Sequence, residues 1–238
     1  MSRSLAETLA WAGDGAAHLR GLMSRMGDDA FPAPSGLPGW SRAHVLTHIA
    51  RNADGMINLL IWARTGVPTP AYASAEARDA DIEAGATRAP AAIRDDVIAS
   101  SDRLAAAVRE MTEQAWSAHV KNVQGVEIPA TDIPWIRARE MWIHAVDLDV
   151  GASLADLPVP MLVEVVTDVV RVVGAKPDCP PLRLATTDVD RSWVLGDGTG
   201  PEVRGPAASL AGWALGRSRG KDLRTSEGKK PPVLPRWL

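Results

Sequence analysis

The sequence predicts a mainly α-helical protein, with an N-terminal four-helix bundle followed by a small C-terminal α/β domain. Four long segments place apolar residues at helical spacing, and the segments that join them are short, which is typical of a bundle. The last third changes to short strand-like segments separated by Asp and Gly turns. Apolar residues make up 46% of the 238 residues, enough to fill a core.

Capping residues delimit the first two long helices. Ser4 and Glu7 have the spacing of a capping box, which predicts a helix from there to about Met26. Ser41 can cap the second long helix, and Gly66 follows its last apolar residue. The segment between these helices is rich in proline and glycine, so we expect a loop there.

The next segments complete the predicted bundle. A short helix is expected over residues 74–85, and Pro90 suits the first turn of the third long helix. Residues 119–129 alternate weakly between polar and apolar around a glycine, which predicts a small hairpin. The fourth long helix is predicted over residues 133–150, with Pro134 tolerated in its first turn.

The character of the sequence changes over residues 151–160, so we expect domains at residues 1–152 and 153–238. In the second domain a valine-rich helix is predicted over residues 161–173 and a final helix over 206–216, before an irregular tail. Short strands are expected at residues 182–187, 192–195 and 202–204.

Charge and cysteine content exclude several classes of function. The chain has 26 basic and 29 acidic residues, so the basic excess of a nucleic-acid-binding protein is missing. No segment approaches the roughly 20 apolar residues of a membrane span, and charges interrupt the N-terminal segment where a signal peptide would need an apolar core. Cys179 is the single cysteine, which rules out an internal disulfide. We therefore expect a cytoplasmic protein that binds neither nucleic acid nor membrane.

A charged stripe in an apolar helix is the most informative feature. Glu140 and His144 are four residues apart, so they share one face of the fourth helix. Arg137 and Asp147 extend the same stripe by one turn on each side. Buried charges must be paired or must bind a metal, although an exposed surface pair would have the same spacing.

The second helix contains a possible partner for this stripe. His44 and His48 are also four residues apart. If the two helices face each other, one of these histidines completes a His–Glu–His set, which suits zinc or another divalent metal. Three protein ligands leave one position open, as in catalytic metal sites.

Seven segments carry a resemblance to a known family. They are GWSRAHVLTH (39–48), WARTG (62–66), PAYASAEAR (70–78), REMWIHAVD (139–147), SLAG (209–212), GR (216–217) and PRWL (235–238). On these segments the sequence resembles the mycothiol-dependent maleylpyruvate isomerases, within the DinB-like metal-binding four-helix bundles. The matches lie in both predicted domains.

The resemblance implies a specific ligand set and reaction. The metal, zinc or another divalent ion, would be bound by His48, Glu140 and His144. The reaction would be the cis–trans isomerisation of maleylpyruvate to fumarylpyruvate in gentisate degradation. The thiol of mycothiol would add to the double bond, the bond would rotate, and elimination would follow. The partners are thus a small dicarboxylate and a low-molecular-weight thiol, with the chain expected to be a monomer.

The resemblance also implies that an arginine of the C-terminal domain is needed for activity. Arg217 matches it best because the preceding glycine aligns. The sequence then departs from the family, so Arg219 remains a competitor. Arg78 is a second candidate anion clamp, although a position on a surface face is the better explanation of this residue. Two other functions stay open: a mycothiol-dependent S-transferase that conjugates an electrophile, and a metal-binding module without catalysis.

Overall fold

The computed structural model describes residues 3–237, which divide into two compact units, one ending at Ala152 and the other beginning at Ser153. Among the described residues, no helix has the length and apolar content needed to cross a membrane. The helices of the first unit are α1 (Leu5–Arg25), α2 (Arg42–Thr65), α3 (Ala75–Ala86), α4 (Pro90–Arg109), α5 (Glu113–Trp116) and α6 (Ile133–Asp147). A hairpin of β1 (His119–Lys121) and β2 (Glu127–Pro129) precedes α6.

The long helices α1, α2, α4 and α6 form the predicted four-helix bundle. Helix α1 packs on α6, while α2 packs on both α4 and α6. Gly15 permits the close approach of α1 to α6, because a Cβ there would lie 2.9 Å from Met141 and Trp142 atoms. The packing of α2 on α6 brings together the two helices that contain the predicted ligands.

The predicted caps are present at both helix starts. The Ser4 hydroxyl accepts from the Glu7 backbone N–H, and the Glu7 carboxylate accepts in return from the Ser4 backbone. Ser41 caps α2 in the same way, with His44 as the reciprocal partner. Gly66 ends α2 in the left-handed conformation, at φ 73°, where a side chain would be strained.

Polar side chains interrupt the apolar core where α2 faces α6. His48 and Asn52 of α2 are buried, as are Arg137 and Asp147 of α6. They lie among fully buried apolar residues such as Ile49. Because a buried polar group is costly without a partner, this polar layer marks the part of the bundle where a function is expected.

The second unit is a small α/β domain, as predicted. Its elements are α7 (Val159–Val173), β3 (Leu182–Thr186), β4 (Ser192–Leu195), β5 (Glu202–Gly205), α8 (Ala207–Ala214) and β6 (Arg224–Thr225). The sheet order is β4-β3-β5-β6, with β3 and β5 parallel and the outer strands antiparallel to their neighbours. Helix α8 packs on β3 and β5, while α7 packs on α8 and β4.

Helix α6 ends three residues earlier than predicted. The Gly36 backbone N–H donates to the carbonyl of Asp147 at 2.7 Å, and the Arg42 guanidinium donates to the carbonyls of Leu148 and Asp149. Asp149 then takes a positive φ of 53°. Tertiary donors thus bind the carbonyls that a longer helix would have used, so the predicted extension to residue 150 was wrong.

The short elements that were not predicted include β6 and α5. The tail expected to be irregular contains β6, whose two residues pair with β5. The four-residue helix α5 is capped by Thr112, whose hydroxyl accepts from the Ala115 backbone N–H. Elements this short have no apolar periodicity that a sequence pattern could detect.

Candidate metal centre

The three predicted ligands converge between α2 and α6. One ligand atom from each of His48, Glu140 and His144 lies within 4.8 Å of the others. His48 Nε2 is 2.8 Å from Glu140 Oε2, and His144 Nε2 is 3.2 Å from the same oxygen. The two imidazole rings stand nearly perpendicular, at 83°, with centroids 4.7 Å apart. The structure thus brings together side chains that are 92 residues apart in sequence.

Local packing explains why these side chains meet. Glu140 and His144 are one turn apart on α6, so both point to the same side of the helix. Ala50 of α2 and Ala145 of α6 are fully buried in one apolar cluster, and such small residues let neighbouring helices approach closely. His48 therefore comes within hydrogen-bond distance of Glu140.

The residues present fit a divalent metal. Two imidazole nitrogens and one carboxylate oxygen are a donor set that suits zinc and similar ions. The side chains of His48, His144 and Glu140 are 7%, 15% and 23% exposed, so the centre is shielded but not closed. His144 Nδ1 lies 2.9 Å from the buried carboxylate of Asp147, the partner that metal-binding histidines usually have.

The charges of the cluster stabilise one another. Burial alone would raise the pKa of Glu140, but hydrogen bonds from His144 and His48 hold that pKa well below its usual range. Burial opposes the charge on His144 too, yet its bonds to Asp147 and Glu140 raise its pKa to about 9. For His48, burial dominates and lowers the pKa. His144 is therefore the more basic of the two histidines.

Arg137 is a buried cation of α6, one turn before Glu140. Its side chain is buried, and Nη1 donates to the carbonyl of Ile49 at 2.8 Å and to Asn52 Oδ1 at 2.9 Å. Burial lowers its pKa to about 10, while the charge of Glu140 opposes that change. The guanidinium thus stays charged at neutral pH and balances the Glu140 carboxylate.

Arg78 of α3 reaches the same centre. Its Nη2 lies 3.4 Å from His48 Nδ1, and Nη1 pairs with Asp79 at 3.1 Å. The guanidinium also lies 5.9 Å from the centre of the Tyr72 ring. Arg78 is thus a partly exposed residue of α3 whose guanidinium also approaches the cluster of predicted ligands.

His44 has a different role from its neighbour one turn on. Its Nδ1 is 2.6 Å from the Ser41 hydroxyl that caps α2, and its Nε2 is 3.3 Å from a carboxylate oxygen of Glu83. These contacts turn His44 towards the helix start and α3. It is not among the three side chains that converge.

The two C-terminal arginines have separate surroundings within their own unit. Arg217 Nη1 donates to the Leu215 carbonyl at 3.0 Å, at the end of α8. Arg219 lines a cleft of about 370 Å³ whose wall is rich in cations. The other basic residues of that cleft are Lys221, Arg224, Lys229 and Lys230.

Two residues near the centre were missed at the level of sequence. Asn52 bonds to Arg137 and lies one turn after His48 on α2, so helical spacing could have found it. Tyr72 lies in the segment between α2 and α3, where no periodicity predicts a position. Its signal was compositional, since it is the single tyrosine of the chain.

Comparisons with known proteins agree across the chain. A family model described as the mycothiol maleylpyruvate isomerase N-terminal domain matches residues 12–149, and the MDMPI C-terminal domain model matches residues 156–236. No curated protein matches in sequence. A crystal structure of the mycothiol-dependent maleylpyruvate isomerase is 35% identical, with a TM-score of 0.92 over 99% of this chain and 98% of that one.

A second crystal structure, of a variant of that isomerase with one histidine replaced by alanine, has a TM-score of 0.91. It has the same identity and coverage. Family models and structural relatives thus cover both units. The chain belongs to the mycothiol-dependent maleylpyruvate isomerase family.

Proposed function

We propose that this protein is an enzyme that isomerises maleylpyruvate to fumarylpyruvate, with mycothiol as its thiol and a divalent metal bound by His48, Glu140 and His144. The observation that supports it most is the convergence of these three side chains in a chain of this family. The metal would lie in a domain of residues 1–152, with an activity-determining arginine in a domain of residues 153–238.

The reaction needs a nucleophile that can add and leave. When bound, a divalent ion with this ligand set lowers the pKa of a coordinated thiol, so that thiolate forms at neutral pH. Mycothiol supplies that thiol, whose addition to the cis double bond allows rotation before elimination returns the trans isomer. Atoms balance without a further reactant, since the thiol is regenerated.

The chain's own residues hold the centre in shape. Asp147 accepts from His144 Nδ1 and would so present Nε2 to a metal. Glu140 would supply the one anionic ligand, and the buried guanidinium of Arg137 offsets that charge. Zinc is the metal we propose, because two imidazoles and a carboxylate suit it and leave a fourth position open.

The substrate is a dianion, and the chain has a net charge of −3. Long-range attraction cannot draw it in, so local guanidinium groups must bind its carboxylates. We assign to Arg217 the role of the arginine needed for activity. Arg78, which already contacts His48, and Arg219, in its cationic cleft, are the candidates for binding the thiol cofactor.

The direct test is an assay of zinc-loaded protein with maleylpyruvate, with and without a catalytic amount of mycothiol. Fumarylpyruvate should form only when the thiol is present, and the thiol concentration should not fall. Consumption of the thiol would instead identify an S-transferase. A filled metal site with no turnover of any thiol and electrophile pair would identify a non-catalytic metal-binding module.

A further inference from the structure

Tyr72 lies against the helix that supplies His48. A Cβ built on Gly55 of α2 would be 3.1 Å from Tyr72 Cζ, the ring carbon that bears the hydroxyl. The hydroxyl end of the ring therefore rests on α2 at this glycine. His48, Asn52 and Gly55 recur at helical spacing, so the phenol lies along the helix face that contains the metal ligand.

Asn52 interacts with the Tyr72 phenol and lowers its pKa. The amide oxygen of Asn52 accepts from Arg137 Nη1, so the NH2 group is the end of the amide that can donate to the phenol oxygen. The phenolic hydrogen is then available to an acceptor other than Asn52. Asn52 thus interacts with both Tyr72 and the buried Arg137.

Burial is the main reason why the Tyr72 phenol stays protonated. Burial raises the pKa of the phenol, and the nearby Glu140 carboxylate raises it further. Arg78, Arg137 and the Asn52 bond oppose this without reversing it. A phenol in these surroundings donates a hydrogen bond and does not act as a base at neutral pH.

We propose that Tyr72 is a further catalytic residue, whose hydroxyl donates a hydrogen bond to the substrate oxygen that becomes negative when the thiol adds. The proposal rests on the proposed function. In the addition step a C–S bond forms, and the electrons of the double bond move onto the conjugated carbonyl oxygen as an enolate. Elimination returns these electrons and breaks the C–S bond, so no proton is consumed. A fixed donor at the enolate oxygen stabilises the charge where it develops.

Arg78 connects Tyr72 with the proposed metal ligand His48. Its guanidinium reaches His48 Nδ1 at 3.4 Å and lies 5.9 Å from the Tyr72 ring centre. Tyr72 and Arg78 also line one cavity of about 200 Å³, next to Asn58, and its described lining includes none of the three ligands. The phenol is thus linked to a ligand through Arg78 and lines a cavity beside that arginine.

The test is Tyr72→Phe, which keeps the ring and removes only the hydroxyl. Loss of one donor to a developing oxyanion lowers kcat by about 100- to 1000-fold in other enzymes, and we expect a loss of at least about 10-fold here. Zinc content and KM for maleylpyruvate should change little. A kcat within about twofold of wild type would overturn the proposal. So would loss of zinc or of the folded state, since the role would then be structural.

Gly55→Ala provides a second variant, which keeps the Tyr72 hydroxyl group but should displace it. Its new methyl group would lie 3.1 to 3.2 Å from Tyr72 ring atoms and push the phenol off α2. We expect a lower kcat with zinc retained, and no further loss when it is combined with Tyr72→Phe. Additive losses would contradict action through Tyr72. If the wild-type protein isomerises maleylpyruvate but the variants do not behave as stated, only the role of Tyr72 is overturned. If the wild-type protein is inactive, both the role of Tyr72 and the proposed function are overturned.

Discussion

Asp147 Oδ2 lies 2.9 Å from His144 Nδ1, one turn away on the same helix. This carboxylate determines which imidazole nitrogen carries the hydrogen and turns Nε2 towards Glu140 and His48. Asp147 is only 2% exposed, so water does not weaken the interaction. The proposed ligand set thus depends on a residue, Asp147, that lies outside it.

Asp147→Asn should weaken the metal site without abolishing it. The amide is a poorer acceptor, and loss of such partners lowers metal affinity by about 10- to 100-fold in other proteins. Competition with a chromophoric zinc chelator measures the change. Asp149→Asn is the matched control, because the Asp149 side chain is exposed and it is the backbone carbonyl of this residue that accepts from Arg42. Equal affinities for the two variants would show that Asp147 does not support His144.

His144→Ala should remove bound metal and isomerase activity together. Only the Glu140 carboxylate and the His48 imidazole would remain as ligands, and two ligands form a weak site. His44→Ala is the control on the same bundle: it removes a histidine that caps α2, so metal should remain stoichiometric. Elemental analysis of the purified proteins gives the metal content. Stoichiometric metal in His144→Ala would refute the ligand set.

Zinc affinity should rise with pH up to about 9. Hydrogen bonds to Asp147 and Glu140 raise the pKa of metal-free His144 to about 9, so at pH 7 this ligand is protonated. Metal must displace that proton, and the affinity therefore increases by at most about tenfold per pH unit below the pKa. Calorimetry in two buffers of different ionisation enthalpy counts the protons released. We expect about one proton from His144 at pH 7 and none above the pKa.

Arg217→Ala and Arg219→Ala form a pair that separates the two C-terminal candidates. Both variants should keep their metal, since neither arginine is in the ligand set. Arg217→Ala should lose activity by at least about 100-fold, as expected for removal of a group that stabilises charge in the transition state. Arg219→Ala should keep most of its kcat. The reverse outcome would transfer the activity-determining role to Arg219.

Helical periodicity explains how much of the fold and of the candidate site could be predicted. Glu140 and His144 are four residues apart on a helix that was clear from its apolar spacing, so their common face followed. The same argument could not choose between His44 and His48. The choice depends on Ser41, because its hydroxyl pairs with His44 at the start of α2. Helical spacing alone does not show which histidine caps the helix and which one faces α6.

Features set by tertiary contacts could not be predicted from local patterns. The end of α6 depends on donors from Gly36 and Arg42, which are more than a hundred residues away in sequence. Tyr72 lies outside any helix or strand, and its position follows from a glycine of α2 that makes room for its ring. Tyr72 is the single tyrosine of the chain, but composition does not predict which residues its side chain contacts.

The separation of the ligands along the chain links metal binding to folding. An unfolded chain could keep Glu140 and His144 near each other, but His48 is 92 residues away from Glu140 and joins them only when α2 docks on α6. A ligand that binds the folded state alone stabilises it by about 2.7 kcal/mol at 100 times its dissociation constant. With a metal bound, the proposed centre would therefore act as a reversible cross-link between α2 and α6, and removal of the metal should lower the free energy of unfolding.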